Sequence, residues 1–317
     1  MSPLREELER YVAVRRGLGY DLDTAHRVLR AFVAFADREG AARVTADLFM
    51  RWRAGFGHAK QGTWAARLRT VRLFARWLHG IDPAHEVPPR DLVPGGPRRT
   101  RPHIYSEAEV ARIVAAAAEL PCVLGLRGLA HSTLLGLIAA TGLRVGEALA
   151  LDRADVDLGA GVLTVRRGKA GKQRLVPLHP TATVRLRAYA AERDRLLGRR
   201  RRDPDAFFVG EAGARVTDCS ARYCFALACK DIGLRPPQPY GRHGRGPRIH
   251  DLRHTFAVRV LLRWYRSGRD AGREMPRLAT YLGHTKPEST FWYIEAVPEL
   301  LALAAARAEA AAGDATP

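Results

Sequence analysis

The chain has 317 residues, 47% of them hydrophobic, with 52 Lys and Arg against 33 Asp and Glu, a net charge of +19 and a pI near 10.7. That much apolar content fills real cores, which excludes a disordered tail, and the length suggests about two domains. So basic a globular chain calls for a polyanion, first of all nucleic acid; a membrane surface is the lesser alternative, because no run of about 18 apolar residues exists to span a bilayer.

Taken from the N-terminus, Met1-Ser2-Pro3-Leu4-Arg5-Glu6-Glu7 lacks the basic-then-apolar layout of a signal peptide, so a cytoplasmic, nucleoid-associated location is expected. Residues 4–18 read as a helix, with Leu4, Leu8 and Tyr11 on one side and Gly17-Leu18-Gly19 ending it. Further helices are expected over 24–36, 46–52 and 62–79. In the last, Trp64, Leu68, Val71, Ala75 and Leu78 form the apolar stripe, while Arg69, Arg72 and Arg76 share another face. One such basic face alone is an ordinary solvated surface. The charge of the whole chain, and Arg51, Arg53, Lys60 and Arg67 nearby, favour contacts to DNA phosphates instead.

Residues 87–102 are a Pro/Gly/Arg segment that cannot form regular structure and read as a basic linker. The expected organisation is therefore a helical DNA-binding domain over 1–86, the linker over 87–102, and a second domain over 103–317. That second domain opens on a helix capped by Ser106, with Glu109 at the reciprocal position. An apolar segment over 126–140 stops at Thr141-Gly142-Leu143-Arg144-Val145-Gly146-Glu147. Two short runs, 161–166 and 174–178, flank Gly168-Lys169-Ala170-Gly171-Lys172-Gln173, which predicts a β-hairpin with lysines at its tip. Helices follow over 182–197 and 218–231, and a polar, basic surface loop over 234–248. An Ala/Leu-rich helix over 298–312 closes the chain. Cys122, Cys219, Cys224 and Cys229 match no common zinc spacing and read as buried thiols.

The chemistry sits in the C-terminal third. His250 and Arg253 are three apart, on one face of a helix running through Leu262. Leu282-Gly283-His284 follows, with Tyr293 nine positions beyond His284 in Phe291-Trp292-Tyr293-Ile294. Phe291, Trp292 and Ile294 are expected to be core residues that fix the tyrosine's helix. Two imidazoles, a guanidinium and a phenol in so short a span point to phosphate chemistry. Arginine grips phosphate oxygens through a planar fork, histidine moves protons near neutral pH, and an ionised phenol is a nucleophile.

The pattern His250-Asp251-Leu252-Arg253-His254-Thr255, then Leu-Gly-His, then a tyrosine nine residues on, resembles the signature of the tyrosine recombinase (phage integrase) family. Arg144, in Thr-Gly-Leu-Arg-Val-Gly-Glu, resembles that family's first arginine motif, and Glu147 is expected to orient it. Lys169 resembles the hairpin lysine that protonates the leaving 5′-oxygen. Its neighbour Lys172 is the rival, read more simply as a phosphate contact. The resemblance implies a catalytic set of Arg144, Lys169, His250, Arg253, His284 and Tyr293. The expected product is a 3′-phosphotyrosine and a free 5′-hydroxyl.

Bond energy is kept throughout, so no nucleotide cofactor is implied. His250 and His254 stand at a spacing that can hold a metal, but no third ligand is in view, so no metal is expected and His254 reads as a buried, hydrogen-bonded support. The implied fold is mainly α with a small antiparallel β-sheet: an all-helical, SAM-like DNA-binding domain and a mixed α+β catalytic domain, together a C-shaped clamp. The implied partners are double-stranded recombination sites and three further copies of the chain in a tetrameric synapse. Accessory DNA-bending proteins are an open further partner. The terminal helix docks either on a neighbour or on its own domain. The rival readings are a type IB topoisomerase that relaxes DNA alone, and a non-catalytic DNA-binding protein.

Overall fold

The computed structural model describes residues 2–55, 57, 59–95, 101–166, 173–198, 202–236, 246–284 and 288–313. The chain divides into two units, Met1–Thr100 and Arg101–Pro317. The first holds α1 (Pro3–Gly17), α2 (Asp23–Arg38), α3 (Ala46–Gly55) and α4 (Gln61–His79). Ser2 starts α1: its hydroxyl accepts the Arg5 N–H, and Pro3 occupies the first turn, where no N–H is needed. The apolar stripes close on one core in which Phe32, Phe49, Trp52, Leu68 and Phe74 are almost fully buried. Trp52 and Trp64 meet edge to face, ring centroids 5.2 Å apart. Each such ring contributes about 1.5–3 kcal/mol by leaving water.

No helix or strand forms over 87–95, as the prolines require. The segment is nevertheless held to the first unit. Val93 is buried in that core, and Arg72 donates to the Pro88 carbonyl.

The second unit begins with α5 (Glu107–Ala118), where Ser106 and Glu109 satisfy each other's backbone N–H groups as expected. Helix α6 (Leu126–Thr141) is buried on most sides, with Leu134, Leu135, Leu137 and Ile138 all inside. After α7 (Val145–Leu149) and a 3-10 turn at Arg153–Asp155 come β1 (Val156–Asp157), β2 (Val162–Val165) and β3 (Arg174–Pro177). They form one antiparallel sheet in that order, with Val165 opposite Arg174 and Val162 opposite Pro177. Leu163, Val165 and Val176 are buried, fixing the register. The two expected strands thus pair antiparallel, while the expected tip between them lies outside the described residues.

Helices α8 (Pro180–Leu197), α9 (Asp218–Asp231), α10 (Ile249–Arg266), α11 (Ala271–Leu282), α12 (Glu288–Ala296) and α13 (Pro298–Gly313) complete the unit. Helix α11 has no counterpart among the expected elements. The fold is mainly helical with one small antiparallel sheet, as expected.

Two readings are corrected. Cys224 and Cys229 are buried, but Cys122 and Cys219 are exposed. Phe291 is 46% exposed rather than core, because it lies on the face of α12 opposite the buried Thr290 and Tyr293. In the single chain the terminal helix lies against its own unit: Leu300 is fully buried, Glu299 pairs with Arg266 at 2.6 Å, and Arg307 donates to the Gly268 carbonyl at 2.7 Å. Among the described residues no helix is long and apolar enough to cross a membrane.

Candidate active site

The site is built around the end of α11. That helix stops at Gly283, whose φ of +65° is a left-handed conformation that suits glycine. Carbonyls in this last turn have no helical N–H to accept from. Three guanidiniums from elsewhere in the chain supply the donors. Arg174 Nε reaches the Tyr281 oxygen at 2.8 Å, Arg253 Nη2 the Leu282 oxygen at 2.7 Å, and Arg144 Nη2 the Gly283 oxygen at 2.8 Å. The negative end of the helix dipole favours the same cations. A second left-handed glycine, Gly142 (φ +64°), ends α6, and its carbonyl accepts from Arg253 Nη1 at 2.7 Å. Neither glycine has room for a side chain: a Cβ would lie 2.5 Å from Phe256 at Gly142 and 2.9 Å from Arg174 Nη1 at Gly283.

Arg144 is the residue just before α7. Its backbone N–H and its Nη1 both donate to Glu147, at 3.0 and 2.6 Å. Arg174 grips the same carboxylate with both Nη atoms, at 3.0 and 2.8 Å. Burial pushes the Glu147 carboxyl up. The hydrogen bonds from Arg174 and from the Arg144 backbone, with both cationic charges, outweigh it and hold the group at about 2. Arg253 is 1% exposed. Burial and the neighbouring Arg144 lower its guanidinium to about 10, so it stays charged at neutral pH.

Tyr293 is 2% exposed. Its hydroxyl lies 3.2 Å from His254 Nδ1, and its ring stacks on His284 with centroids 6.3 Å apart. The His250 ring meets His254 edge to face at 4.7 Å. His284 Nδ1 lies 2.7 Å from the buried Thr290 hydroxyl. Burial first, then the neighbouring positive charges, lowers all three imidazoles. His250 and His254 fall to about 4 and His284 to about 3, so each is neutral at pH 7. The phenol donates to His254 when that ring carries its proton on Nε2.

Arg144, Glu147, His250, Arg253, His254, His284 and Tyr293 are therefore brought together. Lys169 and Lys172 lie outside the described residues. On α4, Arg69 and Arg76 are exposed, whereas Arg72 is half-buried and bonded to Pro88. Among the described residues, no group of three or more His, Cys, Asp or Glu side chains is placed to hold a metal. Sequence reasoning missed Arg174 and Thr290. Arg174 carried a signal, since it is the arginine two positions after Lys172 in the hairpin pattern; Thr290 carried none.

The sequence profile of the phage integrase family matches residues 104–299. The putative integrase/recombinase y4rB of Sinorhizobium fredii is 38% identical over 98% of this chain and 98% of its own. The tyrosine recombinase XerC of Myxococcus xanthus is 30% identical over 75% of this chain and 72% of its own. Among solved structures, the Tn1549 transposon integrase in complex with transposon right-end DNA aligns with a TM-score of 0.61 at 14% identity, covering 92% of this chain and 94% of that one. A lambda integrase tetramer bound to a Holliday junction aligns with a TM-score of 0.59 at 18% identity, covering 90% and 78%. These two share the fold. The chain belongs to the phage integrase family, the tyrosine recombinases. It is an enzyme of site-specific recombination that cuts and rejoins DNA strands.

Proposed function

We propose that Tyr293 is the nucleophile of this recombinase. Its phenol gives its proton to a neighbouring neutral imidazole, and the phenolic oxygen bonds to the scissile phosphorus as the bond from phosphorus to the 5′-oxygen breaks. The DNA 3′ end is left on the tyrosine, and the 5′-oxygen leaves as a hydroxyl after taking a proton from Lys169. A 5′-hydroxyl from a partner strand reverses the step. Negative charge builds on the non-bridging oxygens, and Arg144 and Arg253 are oriented donors for it. With Nδ1 of His284 bonded to Thr290, its Nε2 is the nitrogen that faces this task, and His250 shares it. The convergence of Arg144, Arg253, His250, His284 and Tyr293 on one helix end supports the reading.

The first unit would serve as the DNA-binding domain, through Arg69 and Arg76 and the basic segment after it. Its substrate is paired double-stranded sites. Four copies would act in synapsis, as the lambda integrase tetramer on a Holliday junction does, with accessory DNA-bending proteins where direction must be set. The working location is the nucleoid.

A pool of nicked duplexes with randomised sequence around the nick tests this. Cleavage beside the nick releases a short fragment and traps the covalent complex. Wild-type protein is expected to form an adduct that survives denaturation, and sequencing its DNA identifies the site. Tyr293→Phe is expected to form none. An equal adduct yield from both proteins overturns the assignment.

A further inference from the structure

We propose that Arg174 is a positioning residue for strand cleavage, a brace at the head of β3 that sets both phosphate-directed arginines through Glu147 and the turn at 281–283. The inference rests on the reading above and adds to it a residue outside the expected catalytic set.

The geometry separates Arg174 from Arg144 and Arg253. Its single Nε–H is committed to the Tyr281 carbonyl, and its two Nη atoms span the two oxygens of Glu147. All three nitrogens thus point at protein acceptors. A guanidinium held this way acts on the phosphate through its neighbours.

Those neighbours are the ones that matter. Glu147 holds Arg144 by backbone and side chain. The turn that Arg174 grips at Tyr281 passes its next two carbonyls to Arg253 and Arg144. Arg174 therefore links the sheet to both arginines in one step each. The planar fork suits this task, since one rigid group meets a carboxylate edge and a carbonyl at once. A lysine ammonium keeps the charge but cannot reproduce the three-way bracket. Gly283 belongs to the same device, because a Cβ there would press on Arg174 Nη1 at 2.9 Å.

The test uses the full chain and the site recovered by covalent capture, presented with either the natural scissile phosphate or a methylphosphonate in its place. The methyl group removes the negative charge that the arginines are there to meet, so a defect in arginine placement matters less on it. On the natural substrate, Arg174→Ala is expected to slow adduct formation about 100-fold, the order lost when a reacting group is misplaced by about 1 Å. Half-saturation by DNA should stay where it is. On the methylphosphonate the gap to wild type is expected to narrow to about tenfold or less, and Arg144→Ala is expected to narrow likewise.

Arg174→Lys is expected to fail as Arg174→Ala does. Should Arg174→Ala melt early, Arg174→Lys and Glu147→Gln carry the test instead. Combined, these two are expected to be no slower than the slower single variant, because they break one connection. Equal penalties on both substrates, full recovery with lysine, or additive losses in the double variant each overturn the brace. No adduct from wild-type protein removes the reading of the reaction itself, and the brace with it. An active wild type beside any of the three contrary results removes the brace alone.

Discussion

Arg253 is a permanent charge almost wholly withdrawn from water, and it survives there because the carbonyls of Gly142 and Leu282 replace its hydration. The three imidazoles around it meet the opposite fate and stay uncharged. An exposed histidine titrates near 6.5, whereas His250 and His254 are held at about 4 and His284 at about 3. As pH falls below 6.5 the unfolded chain takes up protons that the folded one refuses. Stability from these groups is therefore complete above that value and is lost toward pH 4, by up to about 1.4 kcal/mol per pH unit for each histidine. Glu147 adds a loss in the same direction at lower pH, between 4.5 and about 2. Urea unfolding of the full chain is expected to show a lower midpoint at pH 5 than at pH 7.5, with a smaller difference in His284→Gln. Identical midpoints at the two pH values would contradict neutral, buried imidazoles. Much of the site is legible in the sequence because its members sit at fixed short offsets. Arg174 stands in the hairpin pattern, but its task is not legible there, because that task is a bidentate contact to a carboxylate 27 positions away and a bond to a carbonyl 107 positions away.

At the scale of elements, the ends of helices do more than their middles. Gly283 and Gly233 both adopt left-handed φ values, +65° and +76°, after α11 and α9. Only Gly283 has a neighbour in the way, since nothing lies within 4 Å of a Cβ built on Gly233. Alanine at either position is expected to cost about 1–2 kcal/mol of stability from backbone strain alone. Gly283→Ala should also cut covalent adduct formation well beyond Gly233→Ala, by pushing on Arg174. Thermal melting together with the trapping assay checks both, and equal activity in the two variants would refute the link. Helices with regular apolar spacing and the Ser106–Glu109 box are legible in the sequence, as are the two paired strands. Helix α11 is not, because Gly272 and Pro276 both read as breakers. It forms because Met275, Leu278, Ala279 and Leu282 bury one continuous face, and packing overrides local preference.

At the scale of the whole molecule, a charge of +19 makes salt the sharpest probe of how the protein holds DNA. The logarithm of affinity should fall linearly with the logarithm of salt concentration, by about 0.9 for each phosphate neutralised. Arg69→Ala and Arg76→Ala are each expected to lessen that slope by about 1. Arg72→Ala should leave it nearly unchanged, because that guanidinium is tied to Pro88. Equal effects from all three would return Arg72 to the DNA face. The turn at 281–283 carries a last implication. It gathers arginines from positions 144, 174 and 253, so each of them lacks one of its protein partners until residues 281–283 have been made. A chain still emerging from the ribosome carries the cationic groups, with Glu147 and Gly142 to hold them in part, but not the turn that completes their aim. A protein truncated at residue 280 lacks that turn as well as His284 and Tyr293, and should bind DNA without breaking it.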